Sequence, residues 1–560
     1  MPKKPLKIAI GQMNPTVGDY AGNTAKILNW IGKAERQGAD LIVFPECALC
    51  GYPVWDLANK RAFVEEGLRQ LKRIAATTRG KKIAVVLGFI DRLSGPQSQI
   101  SDSYNAAAWI EAGKVRKVYH KRLLPAGDVF LGEVFFHPGR KPCVISFRGH
   151  KIGLTICEDI RDSVCKVKPL ADLKSLGANL VINISASPYY RGVSRKREAL
   201  LLSQVRKYKF PILYVNQAGG QDELVFDGVS LMTDERGRIL FRAPAFSEDL
   251  FFLFPREPDS TRVESRTVPS HDGAEAYIPE MYQALVTGVR DYFRKNGFKK
   301  AILGLSGGID SAIVACIAAD ALGAHAVKGV TMPGPFSSRG SWKDSEELAK
   351  NIGIDFETRP IQKMYRTFLN QTARGTKNGK CNQSPAMENL QARLRGLELM
   401  YSSNSEGRLL LATGNKSEFA MGYCTLYGDM AGGLAVIGDV YKTDVYKLSR
   451  YRNSIRHLIP DAILDKAPSA ELRPNQRDQD SLPPYEVLDE ILRLYIEKNL
   501  DCREVIRRLG KKKVRSGVIR ETLRKVDHNE YKRRQTPPIL RVTEKAWFGR
   551  RMPLTNRFPG

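Results

Sequence analysis

The sequence predicts an α/β protein of more than one domain, and two observations carry that prediction. Short apolar, β-branched runs alternate with helical patterns along residues 1–260. Near residue 301 a buried apolar run feeds a Gly/Ser turn that opens another helix. A chain of 560 residues with 42% hydrophobic content has room for two or three domains with sizeable cores.

In the first half, the runs at 6–12, 41–44, 83–89, 152–156, 180–184, 212–215 and 229–232 read as strands, with helical patterns at 23–37 and 195–207 between them. Three polar residues fall where such strands end: Glu46 in FPEC, Lys121 in YHKRLLP and Cys157 in TICEDI. Strand ends in layered α/β folds are where catalytic groups gather. A cysteine becomes a strong nucleophile when a neighbouring base takes its proton and a cation steadies the charge that develops. Glu46 fits the base, Lys121 the cation that also meets a tetrahedral oxyanion, and Cys157 the nucleophile. Singly, each has a plainer reading: an inert buried thiol, or a surface charge. Together and in this order they resemble the nitrilase and amidase superfamily, whose members open amide or nitrile carbon centres through a thioester or thioimidate.

The second half contains GLSGGIDS at 304–311, where the run 301–303 enters a loop of Ser306, Gly307 and Gly308 and leaves through a helical pattern. Glycines let backbone N–H groups close around an anion, and the positive end of the following helix favours negative charge there. The segment is not a Walker loop, because Asp310 stands where that loop has lysine. An acidic residue beside phosphates implies a metal ion. The string SGGxDS resembles the pyrophosphate loop of ATP pyrophosphatases, which cleave ATP between its α and β phosphates and activate a carboxylate or carbonyl as the adenylate.

An amidase that frees ammonia, joined to a module that adenylates a carboxylate, describes a glutamine-dependent amide synthetase. From about residue 6 to the Pro-rich segment near Pro538 the chain is similar to the family of glutamine-dependent NAD synthetases. The resemblance rests on FPECALCGYPVWDL, HKRLLP, ICEDI and SASPYYRG, then on GLSGGIDSA, ENLQARLRG, LLATGNKSE, GDVYKTDVYKL and NEYKRRQTPP. It implies a nitrilase-like α-β-β-α sandwich over residues 1–260. After a linker at 261–279, it implies a Rossmann-like ATP-pyrophosphatase domain of the adenine nucleotide alpha hydrolase-like kind over 280–560, with a basic helical C-terminal region. The linker is polar, Pro-containing and without apolar periodicity, and residues 374–385 form a second loop-like stretch with the look of a flap.

Carried over residue by residue, the resemblance makes Glu46, Lys121 and Cys157 the glutaminase base, lysine and nucleophile. It places Ser187 and Arg191 at the amino-acid end of glutamine. The family's tyrosine and lysine contacts fall on Gly127 and Val193, with Lys196 nearby as a substitute. For ATP it implies Gly304, Leu305, Ser306, Gly307, Gly308, Ile309, Asp310, Ser311, Thr413 and Lys442. For deamido-NAD it implies Asn389, Arg393, Glu418 and Lys532, with Asp310 and Glu418 as ligands of Mg2+. Lys442 also reads as a solvated surface lysine. The implied reaction amidates deamido-NAD to NAD, the last step of NAD biosynthesis, through an adenylate; ATP is the cosubstrate, L-glutamine the nitrogen donor, and AMP, pyrophosphate and glutamate the other products. Ammonia would be protonated and lost in water, so a water-poor passage is expected. Family members form closed oligomers, dimers or octamers among them.

No run approaches a membrane span, and MPKKPLKIAIGQM is interrupted too soon for a secretory segment, so a cytoplasmic protein is expected. Nine cysteines, scattered except for Cys47 and Cys50, fit a reducing compartment. That pair lacks the second pair a zinc site needs and reads as small residues packed in a turn. Net charge is +28, from 88 basic and 60 acidic residues. Lys511-Lys512-Lys513 reads as a solvated helix end and Lys532-Arg533-Arg534 as part of the dinucleotide site. Neither run has interleaved aromatics, so no nucleic-acid partner is assigned, although a weak, salt-sensitive association with RNA stays open. Three rivals fit less of the chain. A stand-alone amidase leaves the phosphate loop without work, and a scaffold needs no Glu-Lys-Cys set. A tRNA-modifying transferase commonly needs a cysteine pair near that loop, where only Cys316 and Cys381 are at hand. Amide synthetases making GMP or asparagine pair this loop with different glutaminases.

Overall fold

Strands buried on both faces are written as near-continuous apolar runs, and such runs assemble here into two sheets pressed face to face. The computed structural model describes residues 6–92, 103–161, 166–253, 275–373 and 384–556. The chain divides into two compact units, Met1–Gly273 and Ala274–Gly560. Of the linker expected at 261–279, residues 261–274 lie outside the described part, and the helix Tyr277–Asn296 already covers 277–279. Pro279 belongs to the first helical turn, where its missing N–H goes unneeded, and does not end a linker. Of the expected flap, 374–383 lies outside the described residues and Pro385 opens the helix Pro385–Glu406.

The first unit holds two six-stranded sheets. One runs in the order Asp249–Leu253, Ile8–Gln12, Leu41–Val43, Ala84–Arg92, Ser103–Glu111, Lys114–His120; the other Ile239–Arg242, Leu231–Thr233, Ile212–Asn216, Leu180–Ser185, His150–Ile156, Val144–Phe147. Alternation of side chains sorts each strand between two cores. Ile8, Ile10, Leu41, Val43, Leu180 and Ile182 meet between the sheets. Ala9, Ile42 and Val85 face the helices Tyr20–Arg36 and Arg61–Thr77 outside the first sheet. Val181 and Ile212 face the helices Pro169–Ser175 and Val193–Tyr208 outside the second. The result is an α-β-β-α sandwich. The strand expected at 229–232 begins two residues later, because Val229 has φ +53° and Ser230 turns its side chain onto Gln12.

The second unit has a five-stranded parallel sheet in the order Asp355–Thr358, Val327–Thr331, Ala301–Gly304, Leu409–Ala412, Leu434–Ala435. Its strand order reverses between Ala301–Gly304 and Leu409–Ala412, and ligands of doubly wound sheets bind at the carboxyl ends of strands on either side of such a reversal. The helix Ile309–Leu322, buried from Ser311 to Ala318, covers one face beside Tyr277–Asn296 and Lys442–Ile455. Leu394 and Leu399 of Pro385–Glu406 pack on the other.

After Pro537 the chain runs along this unit to the 3₁₀ turn Trp547–Gly549, Ile539 bridging Ala435 and the Ala435 N–H donating to the Pro538 carbonyl at 2.9 Å. A fully buried ion pair clamps it: Lys416 Nζ and Asp439 Oδ1 are 2.8 Å apart and both side chains are 0% exposed. Asp439 accepts from the Val542 and Thr543 N–H groups at 2.8 and 2.7 Å, and Lys416 donates to Thr543 Oγ1 and the Lys545 carbonyl at 2.6 and 2.9 Å. Removing one partner of such a pair strands the other charge in the core. Asp439→Ala is expected to cost roughly 3–5 kcal/mol in urea unfolding of the whole chain, and a loss near that of an exposed salt bridge, about 1 kcal/mol or less, would show that the clamp does not hold the tail.

Candidate functional site

Glu46 follows the strand Leu41–Val43 by three residues and is 1% exposed. A carboxylate there is tolerable only with donors around it, and it has three. Lys121 Nζ and Asn105 Nδ2 donate to Oε1 at 2.7 and 2.6 Å, and the Ala186 N–H donates to Oε2 at 2.7 Å. Lys121 directly follows Lys114–His120, the edge strand of the same sheet, whereas Ala186 directly follows Leu180–Ser185 of the opposite sheet, so Glu46 is held from both sheets. Gly88 makes room for the bend that carries it: a Cβ there would lie 2.3 Å from the Pro45 carbonyl oxygen and 2.4 Å from the Cys47 nitrogen.

Cys157 directly follows the strand His150–Ile156 and opens the 3₁₀ turn Cys157–Arg161 with φ +45°. A non-glycine residue in that region costs about 1–3 kcal/mol, and such outliers cluster at active sites. Burial and the Glu46 carboxylate push its thiol up to about 12 while Lys121 pulls the other way, so the sulfur rests protonated. Burial alone would lower the Lys121 ammonium; Glu46 and Cys157 hold it above its ordinary range. The structure therefore brings Glu46, Lys121 and Cys157 together. Cys47 and Cys50 are buried free thiols beside them, with Cys50 Sγ 3.6 Å from the Cys47 carbonyl.

Ser187 lies next to this set. Its N–H donates to Asn216 Oδ1 at 2.9 Å, its carbonyl accepts from Asn216 Nδ2 at 3.2 Å, and Arg197 reaches its hydroxyl at 3.4 Å. Arg197 is itself buried against Asp227, with N–O distances of 3.0 and 3.1 Å. Arg191 is half-buried in the turn before the helix Val193–Tyr208. Val193 is the first residue of that helix and is buried, and Lys196 lies 5.1 Å over the Tyr190 ring. Gly127, exposed, lines a cavity of about 860 Å³ together with Arg122, Asp128, Glu133, Glu158 and Arg161. Asn105, Asn216, Arg197 and Asp227 were not singled out from the sequence, where nothing distinguishes them from ordinary core polar residues.

In the second unit the loop Gly304 to Ser311 leaves the central strand and enters Ile309–Leu322. Gly307 takes φ +73°, and a Cβ there would lie 2.5 Å from the Ser341 carbonyl oxygen. Ser311 Oγ donates to the Gly308 carbonyl at 3.0 Å, and the Gly308 N–H points to Ser306 Oγ at 3.3 Å. Leu305 is buried and its N–H donates to Val330 at 2.9 Å. Thr413 sits just past Leu409–Ala412, across the reversal of strand order. Asn415, two residues on, caps the helix Lys416–Met421 in a reciprocal box with Glu418 and donates to Asp310 Oδ1 at 2.9 Å. The N-x-x-E spacing in LLATGNKSE is the signal that identifies this cap.

Lys442 is not a solvated lysine. It is 3% exposed, bonded to Asp310 Oδ2 and 3.5 Å from Glu418 Oε1, with its backbone N–H on Ser417 Oγ at 3.0 Å. Burial and the Asp310 charge raise the Glu418 carboxyl above its ordinary range, Lys442 opposing. Two carboxylates thus converge on one cation, a donor set that suits Mg2+, which takes one or two protein carboxylates and completes its shell with phosphates and water. No group of three or more His, Cys, Asp or Glu side chains placed for a metal occurs among the described residues.

Asn389 and Arg393, one turn apart, reach one loop: Asn389 Oδ1 accepts from Thr425 Oγ1 at 2.8 Å and Arg393 Nε donates to the Leu426 carbonyl at 3.2 Å. Lys532 Nζ donates to the Gly422 and Cys424 carbonyls at 2.7 and 2.8 Å. Three of the four residues assigned to deamido-NAD therefore border the segment 422–426, while Glu418 points to Asp310 and Lys442. Arg533 corrects the reading of its run. It is buried, paired with Glu530 at 3.0 Å, and donates to the Phe419 and Ala420 carbonyls at 3.1 and 2.9 Å, so it holds a helix end and does not face a phosphate. Lys511, Lys512 and Lys513 follow the helix Cys502–Gly510 and are exposed.

Residues 7–253 match the family model for carbon-nitrogen hydrolases and residues 281–536 the one for NAD synthase. The chain is 43% identical to the glutamine-dependent NAD(+) synthetase of Thermotoga maritima and 42% identical to that of Aquifex aeolicus. The first match covers 99% of both chains, the second 99% of this chain and 100% of the relative. Among solved structures it is similar to the Acinetobacter baumannii glutamine-dependent NAD+ synthetase in complex with ADP, with 36% identity, a TM-score of 0.74 and 99% of both chains covered. The chain belongs to the family of glutamine-dependent NAD(+) synthetases.

Proposed function

We propose that this enzyme amidates deamido-NAD to NAD with ATP, using ammonia that its first unit frees from L-glutamine. The observation that carries the reading is the buried Glu46–Lys121 pair beside Cys157, on the same chain as a glycine loop whose Asp310 is paired with Lys442. Because the thiol rests protonated, attack and proton transfer are coupled. Glu46 takes the Cys157 proton as Sγ bonds to the amide carbon, and Lys121 steadies the oxyanion. The C–N bond breaks as Glu46 returns the proton to nitrogen, and ammonia leaves a glutamyl thioester. Water, giving a proton to Glu46, releases glutamate and the thiol.

In the second unit the nicotinate carboxylate oxygen bonds to the α-phosphorus of ATP and pyrophosphate leaves. Ammonia then attacks the adenylate carbonyl, loses a proton and expels AMP. The backbone N–H groups of the loop and the Lys442 ammonium hold the phosphates, while Asn389, Arg393 and Lys532 border the dinucleotide. Asp310 and Glu418 would hold Mg2+, which screens phosphate charge so that a carboxylate can approach. We place the reaction in the cytoplasm, in keeping with seven described cysteines that are all free. No helix among the described residues is long and apolar enough to cross a membrane. A homo-oligomer is supported by an apolar stripe on Pro385–Glu406, where Leu397, Met400 and Tyr401 are 63%, 37% and 68% exposed.

Cys157→Ala should abolish NAD formation from glutamine and leave formation from ammonium chloride intact; loss of both in a folded protein refutes the division of labour. Lys442→Met should lower both rates together, by about 10²–10³-fold if it acts as one preorganised phosphate donor. An unchanged ammonia-driven rate would remove Lys442 from the ATP site. Leu397→Asp should shift the mass measured by light scattering to a smaller species, and an unaltered mass would put the subunit contact elsewhere.

A further inference from the structure

Asp159, two residues after the nucleophile, is 0% exposed, and the steps above give it no task. Its carboxylate accepts four hydrogen bonds. Oδ2 takes the Ile156 N–H at 2.9 Å and the Tyr119 hydroxyl at 2.8 Å; Oδ1 takes the Arg122 and Leu123 N–H groups at 3.1 and 2.8 Å. Ile156 precedes Cys157 in one sheet of the sandwich, whereas Tyr119, Arg122 and Leu123 flank Lys121 at the edge of the other. One buried side chain thus ties the backbone just before the nucleophile to the backbone just after the lysine and to a tyrosine hydroxyl two residues before it.

We propose that Asp159 is a positioning residue of the glutaminase, the brace that sets Cys157 and Lys121 at a fixed separation around Glu46. The proposal rests on the glutaminase reading above. Lys121 is anchored at its tip by Glu46, but the Cys157 sulfur has no such anchor: its position follows from a left-handed backbone that neighbours must hold in place. The Ile156–Asp159 bond closes that turn from within, and the three donors around Lys121 fix it to the opposite sheet. An asparagine has nearly the same shape and cannot do both. Its single oxygen can serve either the Arg122 and Leu123 pair or the Ile156 N–H, and its amide N–H groups then meet donors on the other side.

The test uses the full-length enzyme carrying Asp159→Asn, assayed with glutamine and with ammonium chloride on one preparation. A displacement of about 1 Å between reacting groups costs on the order of 10²-fold, so kcat with glutamine should fall by about that factor. The KM for glutamine should move far less, and the ammonia-driven rate should equal the parent's. Alkylation of Cys157 by iodoacetamide, followed on its own peptide by mass spectrometry, should slow in the same variant. Tyr119→Phe, which removes one donor and keeps the carboxylate, should lose less than Asp159→Asn. The proposal fails if Asp159→Asn keeps the parent's glutamine rate and thiol reactivity. It fails equally if the ammonia-driven rate drops in proportion, because Asp159 then supports the fold in general and not the site. Glutamine-driven synthesis surviving in Cys157→Ala would instead bring down the underlying reading, whatever Asp159 does.

Discussion

A buried charge must be surrounded by opposite charge or by hydrogen-bond donors, and in this enzyme that requirement builds both sites. Glu46 is the plainest case. Its two oxygens take an ammonium, a side-chain amide and a backbone N–H, and those donors come from two different sheets. The ends of the sheets cannot drift apart without stripping the buried Oε2 of its Ala186 N–H. Lys442 repeats the logic with the signs reversed, as a buried ammonium bounded by Asp310 and Glu418.

The same economy sets the resting state of the nucleophile. A thiol pushed up to about 12 by burial and the Glu46 carboxylate rests protonated at neutral pH, and the thiolate is the form that attacks. In the mechanism proposed above Glu46 receives that proton, and its carboxylate is already held in place. Strain at Cys157 φ +45° and the pairing of Glu46 are complementary: one sets the direction of the sulfur, the other that of the carboxylate.

Much of this was legible from the sequence, for an identifiable reason. Glu46, Lys121, Cys157 and the loop from Gly304 to Ser311 sit at strand ends inside short, distinctive strings, and local pattern suffices to find them. Lys442 was ambiguous because burial is a property of the assembled fold: only the arrival of the Asp310 and Glu418 elements turns a helix-start lysine into an enclosed ion. Arg533 was misread for the same cause, since a run of three cations gives no sign that one of them points inward to Glu530. Asn105, Asn216, Arg197 and Asp227 act through partners 10 to 59 positions away, distances at which periodicity carries no information. The early start of the helix Tyr277–Asn296 reflects a rule of position: proline breaks helices in their interior and is tolerated in their first turn.

The clamp on the C-terminal segment has a consequence for the birth of the molecule. The first unit is complete once Asp249–Leu253 pairs with Ile8–Gln12, so it can fold while later residues are still being made. Asp439 is different: the amides of Val542 and Thr543 that it binds lie 103 and 104 residues downstream. At ~5–20 residues per second, a ribosome needs roughly 5–20 s to deliver them. During that interval the nascent synthetase unit holds a half-satisfied carboxylate at its centre, which makes it the part of the chain most dependent on shelter before synthesis ends.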